Sequence, residues 1–339
     1  MLQIAIVNDA AIAIEALRRA IAAEHHLLWV ARTGAEAVAH CAVAKPDLIL
    51  MDINMPQLDG VAATRQIMQQ SPCAILIVTA TLTRHTAQVF EAMGYGALDV
   101  VQTPSLGSGD PQALQRLRQK IATIAKLMAV PSPRKVNASP PVSPVPPTSR
   151  SLPALVVIGA STGGPAALQQ LFSQLPFGFN AAIVVIQHID QQFAPGLVQW
   201  LNQSSRLPIA LAQNGDRPQA GKVLIAGENQ HLVLRPNQSL RYTHEPRELT
   251  HQPAVDVFFE SVARYWPQPG IALLLTGMGR DGAVGMQALR SRQWHTIAQS
   301  EASCVVFGMP KAAIAQGGVN QVLSLEQMVA YLNRTMPLP

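Results

Sequence analysis

Only three cysteines occur in the 339 residues, Cys41, Cys73 and Cys304, and no two are spaced as CxxC. Thiols so few and so scattered exclude a disulfide framework and point to a reducing compartment. Cys41 and Cys304 sit beside apolar residues and read as small core hydrophobes. Charge is scarce as well, at 13% of residues, and the formal net charge is only +5. No run of five basic residues appears, so a dedicated nucleic-acid patch is not expected. Long apolar runs are missing too. Stretches such as 183–186 and 271–275 fall far below the roughly 18 residues that span a bilayer, so no direct membrane insertion is expected. The N-terminus lacks a basic leader, and Asp9 interrupts its apolar stretch, unlike a secretion signal. The expectation is a soluble, cytoplasmic protein.

What is present is apolar, 48% of the chain, enough to build a core in each of two domains at roughly 150 residues per domain. The stretch 131–153, PSPRKVNASPPVSPVPPTSRSLP, is rich in proline and serine and has no apolar period. It reads as an extended linker at 129–152, between domains at 1–128 and 153–339. No internal repeat is visible.

In the first domain, buried-strand patterns at Gln3–Val7, Leu48–Met51, 74–78 and 98–101 alternate with helical spacing at 12–23, 86–93 and Pro111–Met128. Buried strands alternating with helices predict a doubly wound α/β fold with a parallel sheet. The second domain repeats the style, with buried strands at 154–158, 181–186 and 271–275. Helices are expected at Val255–Tyr265 and 282–290, and a hairpin-like excursion at 223–226 and His231–Leu234.

Ligands of an open α/β sheet bind at the carboxyl ends of its strands, so the residues just past each strand are the informative ones. In the first domain these are Asn8 and Asp9, then Asp52, then Thr79. Asp9 and Asp52 with backbone oxygens make a hard, oxygen-rich site suited to Mg²⁺, beside a carboxylate able to take a phosphoryl group. The bland alternative makes Asp52 a helix-cap carboxylate. The segments MDINMPQLDG (51–60), VTA (78–80) and GALDVV (96–101) leading to Pro104 resemble response-regulator receiver domains over residues 1–125. That resemblance implies a flavodoxin-like fold, phosphorylation on Asp52, Mg²⁺ held by Asp9 and Asp52, and a phosphoryl contact from Thr79.

Two departures from the receiver pattern stand out. Asn8 precedes Asp9 where receivers usually carry two acids, and Thr103 replaces the lysine that usually precedes the proline. No lysine at all lies between Lys45 and Lys120. Val100 occupies the position of the usual aromatic switch residue.

In the second domain a strand runs into GASTGGPAALQQLF (159–172), which predicts a glycine-rich turn and then a helix. The turn puts Ser161 near a helix N-terminus, whose N–H groups favour anions, and Gly163 and Gly164 allow close backbone approach. Such a turn can also hold a nucleotide phosphate, but it lacks the Walker lysine, the GxGxxG spacing and the GxSxG elbow. The next strand ends at His188, and the strand at 271–275 leads into TGMGRDG with Asp281. Three residues that each follow a buried strand meet on one sheet edge, as nucleophile, base and orienting carboxylate.

GASTGGP, the strand ending in QH, TGMGRDG and AQSEASCVVFGMPKAA (298–313) closely resemble the CheB family of chemotaxis methylesterases. The resemblance implies a Rossmann-like catalytic domain with Ser161, His188 and Asp281 as triad and no cofactor. It also implies an oxyanion donor at the backbone N–H of Met278, with Thr162, Gly163 and the segment from Ala298 lining the site. The implied reaction is hydrolysis of glutamate methyl esters on chemoreceptor cytoplasmic helices, with methanol released, and by the same route deamidation of receptor glutamines. The implied phosphodonor is a CheA-like histidine kinase, with the receiver blocking the cleft until phosphorylated.

The first half, with IVNDA, EALRRAI, FEAMGYGALDVVQTP and no receiver lysine, resembles the methylesterase of Wsp-type chemosensory systems. Three competing readings are a catalytically silent receptor-docking regulator, a DNA-binding regulator and a nucleotide-binding enzyme. The intact Ser161, His188 and Asp281 weigh against the first, the absence of a basic helix against the second, and the absent phosphate lysine against the third.

Overall fold

The computed structural model describes residues 1–21, 24–80, 86–104, 111–128, 152–249 and 251–336. It divides into two units, Met1–Arg134 and Lys135–Pro339. The expected linker lies outside the described residues except for Leu152, as do the last two residues of the helical pattern at 12–23.

The first unit runs β1 (Gln3–Val7), α1 (Ala11–Ile21), β2 (His26–Ala31), α2 (Gly34–Val43), β3 (Leu48–Met51), α3 (Gly60–Gln70), β4 (Ala74–Thr79), α4 (Thr86–Gly94), β5 (Asp99–Gln102) and α5 (Pro111–Met128). Its sheet has the order β2-β1-β3-β4-β5 and every pairing is parallel. Leu48, Leu50, Leu76 and Val78 from the sheet pack with Leu17 and Ile21 of α1 and Leu117 and Ile121 of α5. β2, an edge strand, escaped the sequence pattern. Its HLLWVA does carry a short apolar run, 27–31, but that run is too brief to separate strand from helix by period alone, and most of it is only partly buried.

The second unit runs β6 (Ala154–Ala160), α6 (Gly164–Ser173), β7 (Ala181–Gln187), α7 (Ala194–Ser204), β8 (Ile209–Leu211), β9 (Val223–Ile225), β10 (His231–Leu234), β11 (Leu240–Thr243), α8 (Val255–Tyr265), β12 (Ile271–Leu274), α9 (Ala283–Ser291), β13 (His295–Gln299), α10 (Met309–Ala315), β14 (Gln321–Leu323) and α11 (Leu325–Thr335). Seven parallel strands form its main sheet, in the order β14-β13-β12-β6-β7-β9-β8.

The expected hairpin is corrected in its partners. β9 joins the main sheet in parallel with β7 and β8, while β10 pairs antiparallel with β11 as a separate ribbon. The turn chemistry lies between β10 and β11, where Pro236 and Asn237 precede Gln238 at φ 61° and Arg235 N–H donates to the Ser239 carbonyl.

The order of the main sheet places its topological switch between β6 and β12. From β6 the sheet runs outward through β7, β9 and β8 on one side, and from β12 through β13 and β14 on the other. A crevice opens at that point, at the carboxyl ends of the strands.

Candidate active site

Ser161 follows β6, His188 follows β7 and Asp281 lies beyond β12, on three consecutive strands around the switch point. The backbone of Ser161 is fixed from three sides. Its N–H donates to the Thr276 carbonyl at 3.0 Å, and its own carbonyl accepts from Gly164 N–H at 2.8 Å and Gln187 Nε2 at 2.9 Å. The turn needs Gly163, which stands at φ 77° and caps α6. Gly277 is needed for space, since a Cβ there would stand 2.8 Å from Ser161 Cβ and 2.3 Å from Met309 Sδ.

His188 Nε2 lies 2.7 Å from Asp281 Oδ2, and both side chains are nearly buried, at 8% and 13% exposure. A carboxylate only accepts, so Nε2 carries the proton and Nδ1 keeps the lone pair that a base requires. That Nδ1 is buried without a hydrogen-bond partner among the described residues. No hydrogen bond joins it to Ser161 Oγ among those residues, and such bonds commonly close only when substrate is bound. One face of the His188 ring stacks on His251, with centroids 4.4 Å apart and planes 15° from parallel.

Asp281 accepts three further bonds. Val255 N–H reaches Oδ2 at 2.7 Å, while Asp256 N–H and Gly282 N–H each reach Oδ1 at 2.9 Å. Burial acts to raise its pKa, but the hydrogen bond and charge of His188, together with the N–H groups of Asp256 and Val255, overcome it and hold the carboxyl at about 2. Asp281 is therefore an anion throughout the neutral range. Asp256 goes the other way: burial lifts it to about 7, with the Gly285 N–H opposing and the Asp281 charge adding.

Met278 lies in the turn after β12, where Gly277 N–H bonds Val306 O at 3.0 Å and Gly277 O accepts from Gly308 and Met309. Among the described residues the Met278 N–H donates to no group of the chain, which leaves it available to an oxyanion. The segment from Ala298 is laced to this turn. Gln299 Oε1 accepts Thr276 N–H at 2.7 Å, and Thr276 Oγ1 donates to the Thr162 carbonyl at 3.0 Å. Thr162 is buried, and a Cβ on Gly163 would stand 2.6 Å from Cβ of Val305, an exposed apolar residue at the rim. Gln187, Thr276, Gln299, His251 and Asp256 were not singled out from sequence. The first three carried a signal all the same, since each is a polar residue closing or just following an apolar strand.

The first unit collects Asn8, Asp9, Asp52, Thr79 and Thr103 at the carboxyl edge of its sheet. Asp52 N–H bonds Val7 O at 2.9 Å; its Oδ1 accepts Ile53 N–H at 2.7 Å and its Oδ2 accepts Asn8 Nδ2 at 3.0 Å. The cap of α3 is Asp59, which accepts Ala62 N–H at 2.8 Å, so Asp52 is not that cap. Gly60 is obligatory beside it, because a Cβ would stand 2.0 Å from Asp52 O. Asp9 is exposed and Thr79 is buried. Asp9 and Asp52 both follow strands at this edge, and carboxylate oxygens are the hard donor type that Mg²⁺ takes.

Thr103 N–H bonds Thr79 O at 3.0 Å, while its Oγ1 is buried without a partner among the described residues. Lys120 does not stand in for the missing lysine, because it is ion-paired with Asp99 at the opposite, amino end of β5.

A serine, a histidine and a buried carboxylate around the switch point of a parallel sheet are the residue types of a serine-hydrolase site, and the acid- and hydroxyl-bearing edge of the first unit has the residue types of a receiver. The family model for CheB methylesterase matches residues 156–332, and that for the response regulator receiver domain matches 4–108. The protein-glutamate methylesterase/protein-glutamine glutaminase 3 of Pseudomonas aeruginosa is 51% identical over 335 residues, covering 98% of this chain and 98% of that protein. Its counterpart numbered 4 in Burkholderia thailandensis is 52% identical, covering 98% of this chain and 96% of that protein. The crystal structure of the Thermotoga maritima CheB methylesterase catalytic domain has a TM-score of 0.52 and 34% identity, covering 54% of this chain and 99% of that one. The chain belongs to the CheB methylesterase family and carries a receiver domain ahead of the esterase domain.

Proposed function

We propose that the chain is a carboxylic ester hydrolase that demethylates glutamate methyl esters on the cytoplasmic helices of chemoreceptors, under control of its receiver. The observation that carries this reading is the 2.7 Å pairing of His188 with the ionised Asp281, at the switch point that also holds Ser161. Ser161 Oγ attacks the ester carbonyl as its proton passes to His188 Nδ1. The new oxyanion is met by the Met278 N–H. Collapse breaks the bond to the methoxy oxygen, which takes the proton from His188 and leaves as methanol. Water then attacks the acyl-enzyme with His188 again as base, which frees the glutamate carboxylate and regenerates Ser161. A receptor glutamine enters the same route with ammonia as leaving group, in keeping with the double name of the relatives. Every step is carried by these side chains, without a cofactor in the esterase domain. Thr162, Gly163 and the strand edge from Ala298 line the site.

In this reading residues 1–128 are the receiver, 129–152 a linker and 153–339 the esterase. Asp52 is the phosphoryl acceptor, Thr79 its hydroxyl neighbour, and a CheA-like histidine kinase the donor. Asp9 and Asp52 would hold Mg²⁺, which neutralises phosphoryl charge. The Asn8 amide already donates to Asp52 but brings no positive charge, so the cation that a lysine would supply is not replaced there. The Wsp-type assignment of the chain rests on the sequence of the first half alone. No helix among the described residues is long and apolar enough to cross a membrane.

The reading is tested by methanol release from a methylated chemoreceptor, with and without a small-molecule phosphodonor and Mg²⁺. Release above a Ser161→Ala blank is expected. It should rise with phosphodonor, by a factor in the roughly 5–150-fold range of ordinary coupling between sites, and Asp52→Asn should abolish the rise. Release that ignores phosphodonor would remove the regulatory half of the proposal. Release at the blank level would remove the esterase half and favour a receptor-docking role.

A further inference from the structure

Helices α8 and α9 both begin without a side-chain cap of their own. The residues at their N-caps are Ala254 and Gly282, and neither supplies a side-chain hydrogen bond. The first N–H groups of a helix need acceptors from elsewhere in that case. Each helix takes one from the other. Asp281, two residues ahead of α9, accepts the Val255 and Asp256 N–H groups that open α8, at 2.7 and 2.9 Å. Asp256, in the first turn of α8, accepts the N–H of Gly285 in the first turn of α9, at 2.7 Å. The two helix starts touch, since a Cβ on Gly285 would stand 2.5 Å from Phe259 Cβ and 3.2 Å from Asp256 Cα.

We propose that Asp256 is a positioning residue for the triad, which holds the start of α9 against α8 and thereby fixes Asp281, and through it His188, for proton transfer. The inference rests on the esterase reading above. Asp281 alone ties its own turn to α8 through one carboxylate. The return bond from Asp256 to Gly285 closes the loop, so that the turn carrying Asp281 cannot swing about its bonds to Val255 and Asp256. His188 Nε2 is bonded to Asp281 and its ring lies flat on His251, so a rotation of Asp281 would break that bond or turn the ring off His251, and with it re-aim Nδ1. Asp256 faces the Asp281 carboxylate across this contact and Glu260 one turn along its own helix, and burial has lifted its carboxyl to about 7. An acid near neutrality keeps a carbonyl-type oxygen for the Gly285 N–H in either protonation state. The bond to Gly285, rather than the charge, is then what the position requires.

The test uses the full-length protein and the steady-state kinetics of methanol release. Asp256→Ala, which removes the acceptor, is expected to lower kcat by between about tenfold and a hundredfold, the scale on which small misplacements act, with KM held within about twofold. Asp256→Asn keeps an oxygen for Gly285 N–H and is expected to restore kcat to within about threefold of the parent chain. Wild-type kcat in Asp256→Ala, a change confined to KM, or an Asp256→Asn variant as slow as Asp256→Ala would each overturn the proposal. Should Asp256→Ala fold poorly, Asp256→Leu, which keeps the side-chain bulk but offers Gly285 N–H no acceptor, takes its place: it is expected to be slow where Asp256→Asn is not, and parental kcat in it would overturn the proposal. Parent chain no faster than its Ser161→Ala blank would overturn the esterase reading itself, and this inference with it.

Discussion

Ser161→Ala is expected to lower kcat for methanol release by at least about 10⁴-fold and to leave the fold untouched. The magnitude follows from what the hydroxyl does. Without it there is no acyl-enzyme, and what survives is the oxyanion donor and substrate binding, which leave only a residual acceleration over water in serine hydrolases. The clean separation from stability follows from the local geometry. Among the described residues every hydrogen bond that fixes position 161 is made by its backbone, to Thr276, Gly164 and Gln187. The Cβ that packs against Gly277 is retained by alanine. The melting temperature of the variant should therefore match the parent within about a degree, and its affinity for methylated receptor should hold. Kinetics with a thermal melt on the same preparation check both. Activity within tenfold of the parent would mean that another group is the nucleophile.

Asp281→Asn is expected to be as damaging to the chemistry, about 10⁴-fold in kcat, and costly to stability as well. The carboxylate receives two donors on each oxygen: Asp256 and Gly282 N–H on Oδ1, and Val255 N–H and His188 Nε2 on Oδ2. An amide has one acceptor oxygen and one donor nitrogen, so one pair must face an NH₂ group whichever way it sits. If the nitrogen faces His188, Val255 N–H loses its acceptor and the ring must accept at Nε2, so stability falls together with the chemistry. The proton then moves to Nδ1, where it blocks the lone pair needed to take the Ser161 proton. If the nitrogen faces Asp256 and Gly282 instead, two N–H groups at the helix start lose their acceptor. Each such loss costs about 1–3 kcal/mol. A drop of roughly 4–10 °C in the melting temperature of this domain is expected alongside the kinetic loss. A variant that kept the parent melting temperature and lost less than tenfold in kcat would show that Asp281 does not orient His188.

Much of this was legible in the amino-acid order. Central strands of a parallel sheet are buried on both faces, so β3, β4, β6, β7 and β12 appear as unbroken apolar runs. The residues at or just past their ends, Asp52, Thr79, Ser161 and His188, and Asp281 a few residues beyond β12, then carry the polar chemistry of the sheet edge. β2 was missed although 27–31 is an apolar run, because a run that short does not by itself tell strand from helix. The ribbon of β10 and β11 was misassigned because β9 has the same short apolar pattern and only the pairing tells them apart. His251 and Asp256 were invisible because their importance is a matter of what they touch. His251 lies in an irregular segment, and Asp256 reads as an ordinary first-turn acid that favours a helix N-terminus wherever it falls. Lys120, the nearest lysine in sequence to the receiver position held by Thr103, is tied to Asp99, which only the pairing of α5 with β5 reveals.

The order of residues by itself determined the two α/β domains and singled out Asp52, Ser161, His188 and Asp281 as polar residues following buried strands, because strand periodicity and the chemistry at strand ends are local properties. Tertiary structure alone decided the strand order that puts β6 beside β12, the ring nitrogen of His188 that meets Asp281, and the crossed bonds between α8 and α9. Those depend on which distant segments come into contact, and hydrogen-bond direction and helix-to-helix approach are set by that contact rather than by any pattern along the chain.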